Sequence, residues 1–315
     1  MSRIHNKKSS VQQITIDSDD HDRRIDNFLM SRLKGIPRTR IYQMLRKGEV
    51  RVNKGRIKQT YRLQLNDVVR IPPVSINTPA ELGIPPVYML DMFKSGVLFE
   101  DDNIIALNKP SGIVVHSGSG RTFGVIEVLR YLRPQESNLQ LVHRIDQDTS
   151  GCLLLSKTSQ GLRLLHSALR DSQVEKKYTS LLKGDIGKHK VHVDVALKKN
   201  IKLSGERLVQ VDKEGKAARS CFRRIRKYKE TCLAEVIIET GRTHQIRVHS
   251  RHISHPVIGD DKYGDRELNK KIKKQGLKRM FLHAAELSLP EYGSNGLHII
   301  APLADNLQSF LDKHE

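Results

Sequence analysis

His143-Arg144-Ile145-Asp146-Gln147-Asp148-Thr149-Ser150-Gly151 sets a carboxylate beside a guanidinium at a polar break between two apolar runs. Leu139, Leu141 and Val142 precede the break and Cys152 to Leu155 follow it, so Asp146 is predicted at a turn between two buried strands. Catalytic groups concentrate on loops that strands hold in place. A lone Asp in such a turn is more often half of a surface ion pair, here with Arg144. What accompanies it along the chain decides between the two readings.

Outward from this turn, 315 residues are enough for one sizeable core and a smaller module. The 55 Lys and Arg against 35 Asp and Glu give a net charge of +20, which points to a polyanionic partner. RNA, DNA or an anionic membrane would each satisfy that. The membrane is the weakest candidate, because no apolar run approaches spanning length and no long basic amphipathic helix stands out. Met1 to Gln13 lack the apolar segment of a signal peptide, and Cys152, Cys221 and Cys232 form no CxxC pair. The expected setting is a reducing cytoplasm, without disulfides or a cysteine-based zinc site.

Proline marks a boundary. Pro72, Pro73, Pro79, Pro85 and Pro86 cluster in one stretch, so residues 73–95 read as an extended linker between a domain at 23–72 and a larger one at 96–315, with 1–22 as an N-terminal extension. In the first domain, Ile25, Phe28, Leu29 and Leu33 have helical spacing. After Gly35-Ile36-Pro37, a second helix with Ile41, Met44 and Leu45 ends at Gly48. Val50 and Val52 alternate with polar residues before an Asn53-Lys54-Gly55 turn, and Leu63, Leu65, Val68, Val69 and Ile71 suggest further strands. This domain holds 14 basic and three acidic residues, a net +11. Arg38, Arg40, Arg46, Lys47, Arg51, Lys54 and Arg56 lie on or just after the second helix, as a phosphate-binding face would require. Arg24-Ile25-Asp26-Asn27-Phe28-Leu29, Lys47 to Asn53 and Asp67-Val68-Val69 resemble the S4 RNA-binding domain.

Beyond the linker, Val97 to Phe99 and Ile104 to Leu107 form a predicted hairpin. Val125, Val128, Leu129 and Leu132 mark one helix, and Leu162, Leu165 and Leu169 another. Leu233, Glu235 and Ile237 mark a strand feeding a turn at Gly241. The pattern fits an α+β domain with a mixed, mainly antiparallel sheet. Lys262 to Arg279 carry eight basic and two acidic residues, either a basic loop or helix against nucleic acid or a solvated insertion. Asn108-Lys109-Pro110-Ser111-Gly112 reads as a tight turn after a strand, where Lys109 is a candidate phosphate contact. Gly118-Ser119-Gly120 is too weak a pattern for a nucleotide site.

Taken with Tyr178, the run Gly241 to His249 and Gly259-Asp260-Asp261-Lys262-Tyr263-Gly264, the Asp146 stretch resembles the RluA family of pseudouridine synthases, over the chain from about Arg23 onward. The S4-like domain, Asn108 to Gly112 and Phe123 to Glu127 point within that family to the type acting on large-subunit ribosomal RNA. The resemblance implies that Asp146 is the catalytic aspartate, Tyr178 the active-site tyrosine and Arg247 the arginine that pairs with Asp146. It implies that Arg144 serves base flipping. In such a reaction Ile246 would pack with Tyr178 on the flipped base, Arg242 at the Gly241 turn is a further candidate substrate contact, and Lys109 is either another such contact or part of a plain turn. The resemblance also implies no cofactor and no metal, an RNA partner and a monomer. Ile145 and Cys152 depart from the usual Leu and aliphatic residue at those positions. Cys152 would be oxidation-sensitive if exposed.

Other readings have less support. Asp146-Gln147-Asp148 could be the paired carboxylates of a glycosidase or an aspartyl phosphotransferase, but His143-Arg144 interrupts the apolar strand that the latter needs. His244, His249, His252 and His255 could bind metal, but there is no HExxH pattern. A non-enzymatic S4-type ribosome assembly factor is the reading from a different class, and another RNA target is the alternative within the family.

Overall fold

The computed structural model describes residues 6–8, 10–33, 36–77, 83–117, 123–201 and 207–314. Gly35, Pro79 and Gly118-Ser119-Gly120 lie outside these ranges. The chain folds as two compact units, residues 1–84 and, with 158–160 excepted, residues 85–315.

The first unit contains β1 (Asn6–Lys8), β2 (Gln12–Thr15), α1 (Ile25–Arg32), α2 (Arg38–Lys47), β3 (Arg51–Val52), β4 (Val68–Ile71) and β5 (Ser75–Asn77). β2, β4 and β3 form an antiparallel sheet in that order, and β1 pairs with β5. Ile25, Phe28 and Leu29 of α1 pack with Ile41, Met44 and Leu45 of α2 in one core. Gly48 ends α2 in the left-handed region at φ +69, with its N–H on the Met44 and Leu45 carbonyls. Asn53 and Lys54 both have positive φ, as the predicted tight turn requires.

Two expectations fail in this unit. Leu63 and Leu65 are not in a strand: the Asp67 carboxylate accepts from Gln64 N, Asn53 Nδ2 and the Tyr61 hydroxyl, which gathers that segment into a loop. Residues 1–22 are not merely an extension, because β2 completes the edge of β4 and Ile16 is buried in the core.

The second unit begins inside the segment read as linker. Its α3 (Val87–Ser95) follows Pro86 and buries Met89 and Phe93, four residues apart on one face. Proline density hid that spacing. The chain continues through β6 (Val97–Glu100), β7 (Ile104–Lys109), α4 (Val125–Leu132), β8 (Gln140–Leu141), β9 (Ser150–Ser156), α5 (Ser159–Arg170) and β10 (Glu175–Lys183). Next come β11 (Val191–Asp194), β12 (Leu197–Ile201), β13 (Arg207–Val211), β14 (Arg219–Lys227), β15 (Thr231–Ile238), α6 (Gln245–His252) and α7 (Arg266–Lys274). β16 (Leu282–Leu289), β17 (Leu297–Ile300) and α8 (Asp305–Asp312) follow.

Among the described residues the main sheet has ten strands in the order β11-β14-β15-β10-β16-β9-β7-β6, with β17 beside β16 and β8 beside β9. Every pairing is antiparallel except β9 with β16, joined at Ser150–His283 and Gly151–Ala284. Gly151, at φ +107, makes this possible, since a Cβ there would collide with the Ala284 main chain. β9 is buried along its whole length, as a central strand should be. The basic segment 262–279 is in part a helix, with the Asp265 carboxylate capping α7 at Leu268 N.

Candidate active site

β8 ends at Leu141 and β9 begins at Ser150, so Asp146 sits on the connection between them. Three carbonyls of this loop are held from outside or within. Asp146 O accepts from Thr149 N, and Gln147 O accepts from Gly112 N and Lys109 Nζ. Asp148 O accepts from the Ser111 hydroxyl and from Arg279 Nη2. The Arg279 guanidinium also donates to Ser150 Oγ at 2.8 Å, and Ser150 Oγ lies 2.8 Å from His283 Nδ1. A loop pinned at this many points presents its side chains in one geometry.

Lys109 is not where sequence reasoning put it. It is fully buried, and its ammonium donates to the carbonyls of Pro110, Ile113 and Gln147 at 2.7, 2.9 and 3.0 Å. Burial pushes the amine down to about 7, against the pull of Asp148 and Asp146. All three donors are engaged, so none is left for a phosphate. Lys109 braces the Asp146 loop.

Arg247 projects from α6 with its side chain 6% exposed, and its Nη1 donates to Asp146 Oδ2 at 3.2 Å. Nε and Nη2 donate to Asp260 Oδ2 and Oδ1 at 2.6 and 2.9 Å, a bidentate pair with a fully buried carboxylate. Burial works against both charges. Arg247, with the main-chain N–H groups of Tyr263 and Lys262, nevertheless holds Asp260 below the ordinary carboxylate range, and the two aspartates raise the arginine above its own. The Tyr263 ring lies against the guanidinium, 5.0 Å from Arg247 Cζ to the ring centre. Asp260, Tyr263 and His244 stand in two separate runs of the sequence, and nothing in their spacing shows that they converge on Arg247.

A cleft of about 500 Å³, its open mouth included, runs over Asp146 and is lined by Arg144, Tyr178, Arg242, Ile246 and Arg247 among others. Tyr178 lies in β10 and is largely buried. Burial first, and the Asp146 charge next, push its hydroxyl well above the ordinary phenol range, so it stays protonated at neutral pH. Ile246 is buried on α6. Arg144 is exposed at the mouth, and Arg242 donates through Nε to Ala217 O at 3.0 Å. Asp148 is exposed and is not among the cleft residues, unlike Asp146.

Cys152 is buried and its thiol is pushed up to about 12 by that burial, which makes it unreactive. His249 turns to Ser220 Oγ and the Val195 carbonyl, His255 to the Lys183 carbonyl and His244 to Tyr263. Among the described residues no group of three or more His, Cys, Asp and Glu could hold a metal ion, and no helix is long and apolar enough to cross a membrane. In the first unit Arg46, Lys47, Arg51, Lys54 and Arg56 are exposed. Arg38 lies over the Tyr42 ring, and Arg40 pairs with Glu49 at 2.8 Å.

The RNA pseudouridylate synthase family matches residues 103–252 and the S4 domain family matches residues 23–69. Ribosomal large subunit pseudouridine synthase C of Haemophilus influenzae is 47% identical over 311 residues, covering 97% of this chain and 95% of its own length. The protein of the same name from Escherichia coli strain K12 is 46% identical over 308 residues, covering 96% and 97%. The structure of human RNA pseudouridylate synthase domain containing 4 shares the fold, at TM-score 0.60 and 24% identity over 72% of this chain and 95% of that one. With a full-length likeness of this degree, and with Asp146 held by a buried arginine beneath an open cleft, the chain belongs to the RNA pseudouridylate synthase family, as a member that carries an S4 domain.

Proposed function

We propose that the protein isomerises uridine to pseudouridine in large-subunit ribosomal RNA, in the cytoplasm and without a cofactor. The reaction breaks the N1–C1′ bond, turns the uracil, and joins C5 to C1′, while the hydrogen on C5 is lost as a proton and N1 regains one. Nothing is oxidised and no group leaves. Asp146 is the carboxylate that acts on the ribose, by taking a proton, attacking C1′ or stabilising charge there. Arg247 orients it. Tyr178 and Ile246 flank the flipped base, Arg144 fills the gap left in the stack, and Arg242 contacts the strand. The exposed cations after α2 give affinity and placement through phosphate contacts.

The Asp146–Arg247 contact at 3.2 Å in the floor of the cleft is the observation that carries this reading. The name of the 47% identical relative supports the choice of RNA. Pseudouridine mapping in ribosomal RNA of cells with and without the protein tests it, together with conversion of a large-subunit transcript by purified protein in EDTA. Sites that vanish with the protein and return in vitro are expected. An unchanged map would refute the ribosomal substrate, and protein that binds the transcript without converting it would leave an RNA-binding factor.

A further inference from the structure

His244 caps α6 in the left-handed region at φ +54, and the reaction as proposed gives it no task. Its Nε2 lies 3.9 Å from Asp146 Oδ2, the same oxygen that Arg247 Nη1 reaches at 3.2 Å. Its Nδ1 lies 2.8 Å from the Tyr263 hydroxyl, with the rings edge to face. That hydroxyl in turn lies 2.9 Å from Val209 N of β13.

Donor bookkeeping orders these contacts. A main-chain N–H can only donate, so Val209 occupies a lone pair of the Tyr263 oxygen. Tyr263 is 5% exposed, and a buried phenol seldom leaves its hydrogen unused. Its hydrogen therefore goes to His244 Nδ1. A neutral imidazole that accepts on Nδ1 carries its own hydrogen on Nε2, the nitrogen turned toward Asp146. Burial lowers the histidine's pKa, which Asp146 only partly opposes, so the neutral form prevails at neutral pH.

We propose that His244 is a positioning residue, held by Tyr263 in the Nε2–H form, that donates to Asp146 Oδ2 beside Arg247 and so leaves Oδ1 as the oxygen presented to the ribose. Oδ1 has no donor among the described residues, while Oδ2 has two candidates on one side. The 3.9 Å separation is too long for a hydrogen bond in the free protein, and positioning by His244 requires that it shorten when substrate enters. This rests on Asp146 being the catalytic carboxylate. It also ties the active site to the β12–β13 hairpin, whose Val209 N–H sets the hydroxyl that sets the tautomer.

Histidine nitrogen NMR on the full-length protein tests the tautomer without reference to any reaction. One of 14 histidines is assigned to position 244 by its loss in H244Q. A pyridine-like Nδ1 and a pyrrole-like Nε2 are expected, shifting toward a mixture in Tyr263→Phe. A protonated Nδ1 in the wild type overturns the proposal, whatever the protein's activity. The second arm is single-turnover kinetics on an RNA that the wild type converts. H244N keeps a residue that accepts positive φ but is too short to reach Asp146, so the rate should fall at least about ten-fold with KM within about two-fold. H244Q, whose amide nitrogen stands near the Nε2 position, should recover most of that loss. An H244N enzyme as fast as wild type, or equal losses in both variants of intact melting temperature, would show that His244 does not position Asp146.

Discussion

Two short helices of this protein use positive charge in opposite ways. On α6, Arg247 is 6% exposed, touches two aspartates and lies against an aromatic ring. On α2, Arg46 and Lys47 stand in solvent and touch no carboxylate among the described residues. A buried guanidinium loses hydration worth several kcal/mol and is tolerable only where carboxylates and hydrogen bonds replace the lost water. In return it cannot move, which suits a group that must aim Asp146. An exposed cation keeps its water, and its contribution comes when counterions leave the RNA it meets. Under the proposed function the first arrangement would serve geometry and the second affinity.

Substitutions can break that division. Asp146→Asn should lower single-turnover rate by roughly 1,000-fold or more, with RNA affinity within a few-fold of wild type. Asp148→Asn should have little effect, and equal losses in the two would mean that the DxD run acts as a pair. Asp260→Asn should cost about 3–5 kcal/mol of stability in denaturant melts, because Arg247 would stay buried with its bidentate partner gone. Since the Asp260 carboxyl is held below its ordinary range, its contribution is present above that range and is lost as pH falls through the lowered value. The variant should therefore show a weaker loss of stability in acid than wild type. The paired change Arg46→Ala with Lys47→Ala should raise Kd and flatten the slope of log K against log[salt] by roughly 0.7 to 0.9 for each phosphate no longer neutralised, without altering the rate at saturating RNA. A fall in that rate would show that α2 also shapes the site. The smallest effect concerns thiols. Maleimide at neutral pH should label half-exposed Cys221 and leave the buried Cys152 and Cys232 until the protein unfolds.

Much of this is legible in the sequence. The strand-turn-strand around Asp146, both α2 and its Gly48 stop, the β6–β7 hairpin and the identity of Arg247 follow from periodicity, turn chemistry and the family resemblance. What escapes has a common cause. Lys109 looks like a phosphate ligand because a lysine at a turn is usually solvated, and no pattern reveals that three carbonyls from two loops converge on it. Asp260 and His244 are remote in sequence from Asp146, and only the packing around α6 brings His244 beside Asp146 and Asp260 onto Arg247. α3 is easily overlooked because Pro85 and Pro86 suggest an extended chain, although Pro86 in fact starts the helix.

The single parallel pairing has a consequence for how the enzyme is made. β16 begins at residue 282, yet it lies between β10 and β9 and is the strand through which the two halves of the main sheet are joined. A chain emerging from a ribosome can form the β6–β7–β9 meander early, but it has no sheet in which Tyr178 and Asp146 face one another until that late strand is inserted between them. The candidate site thus cannot assemble before residues 282–289 have been made. A nascent or truncated chain lacking β16 would hold an RNA-binding first unit and every residue of the Asp146 loop, and still be catalytically silent.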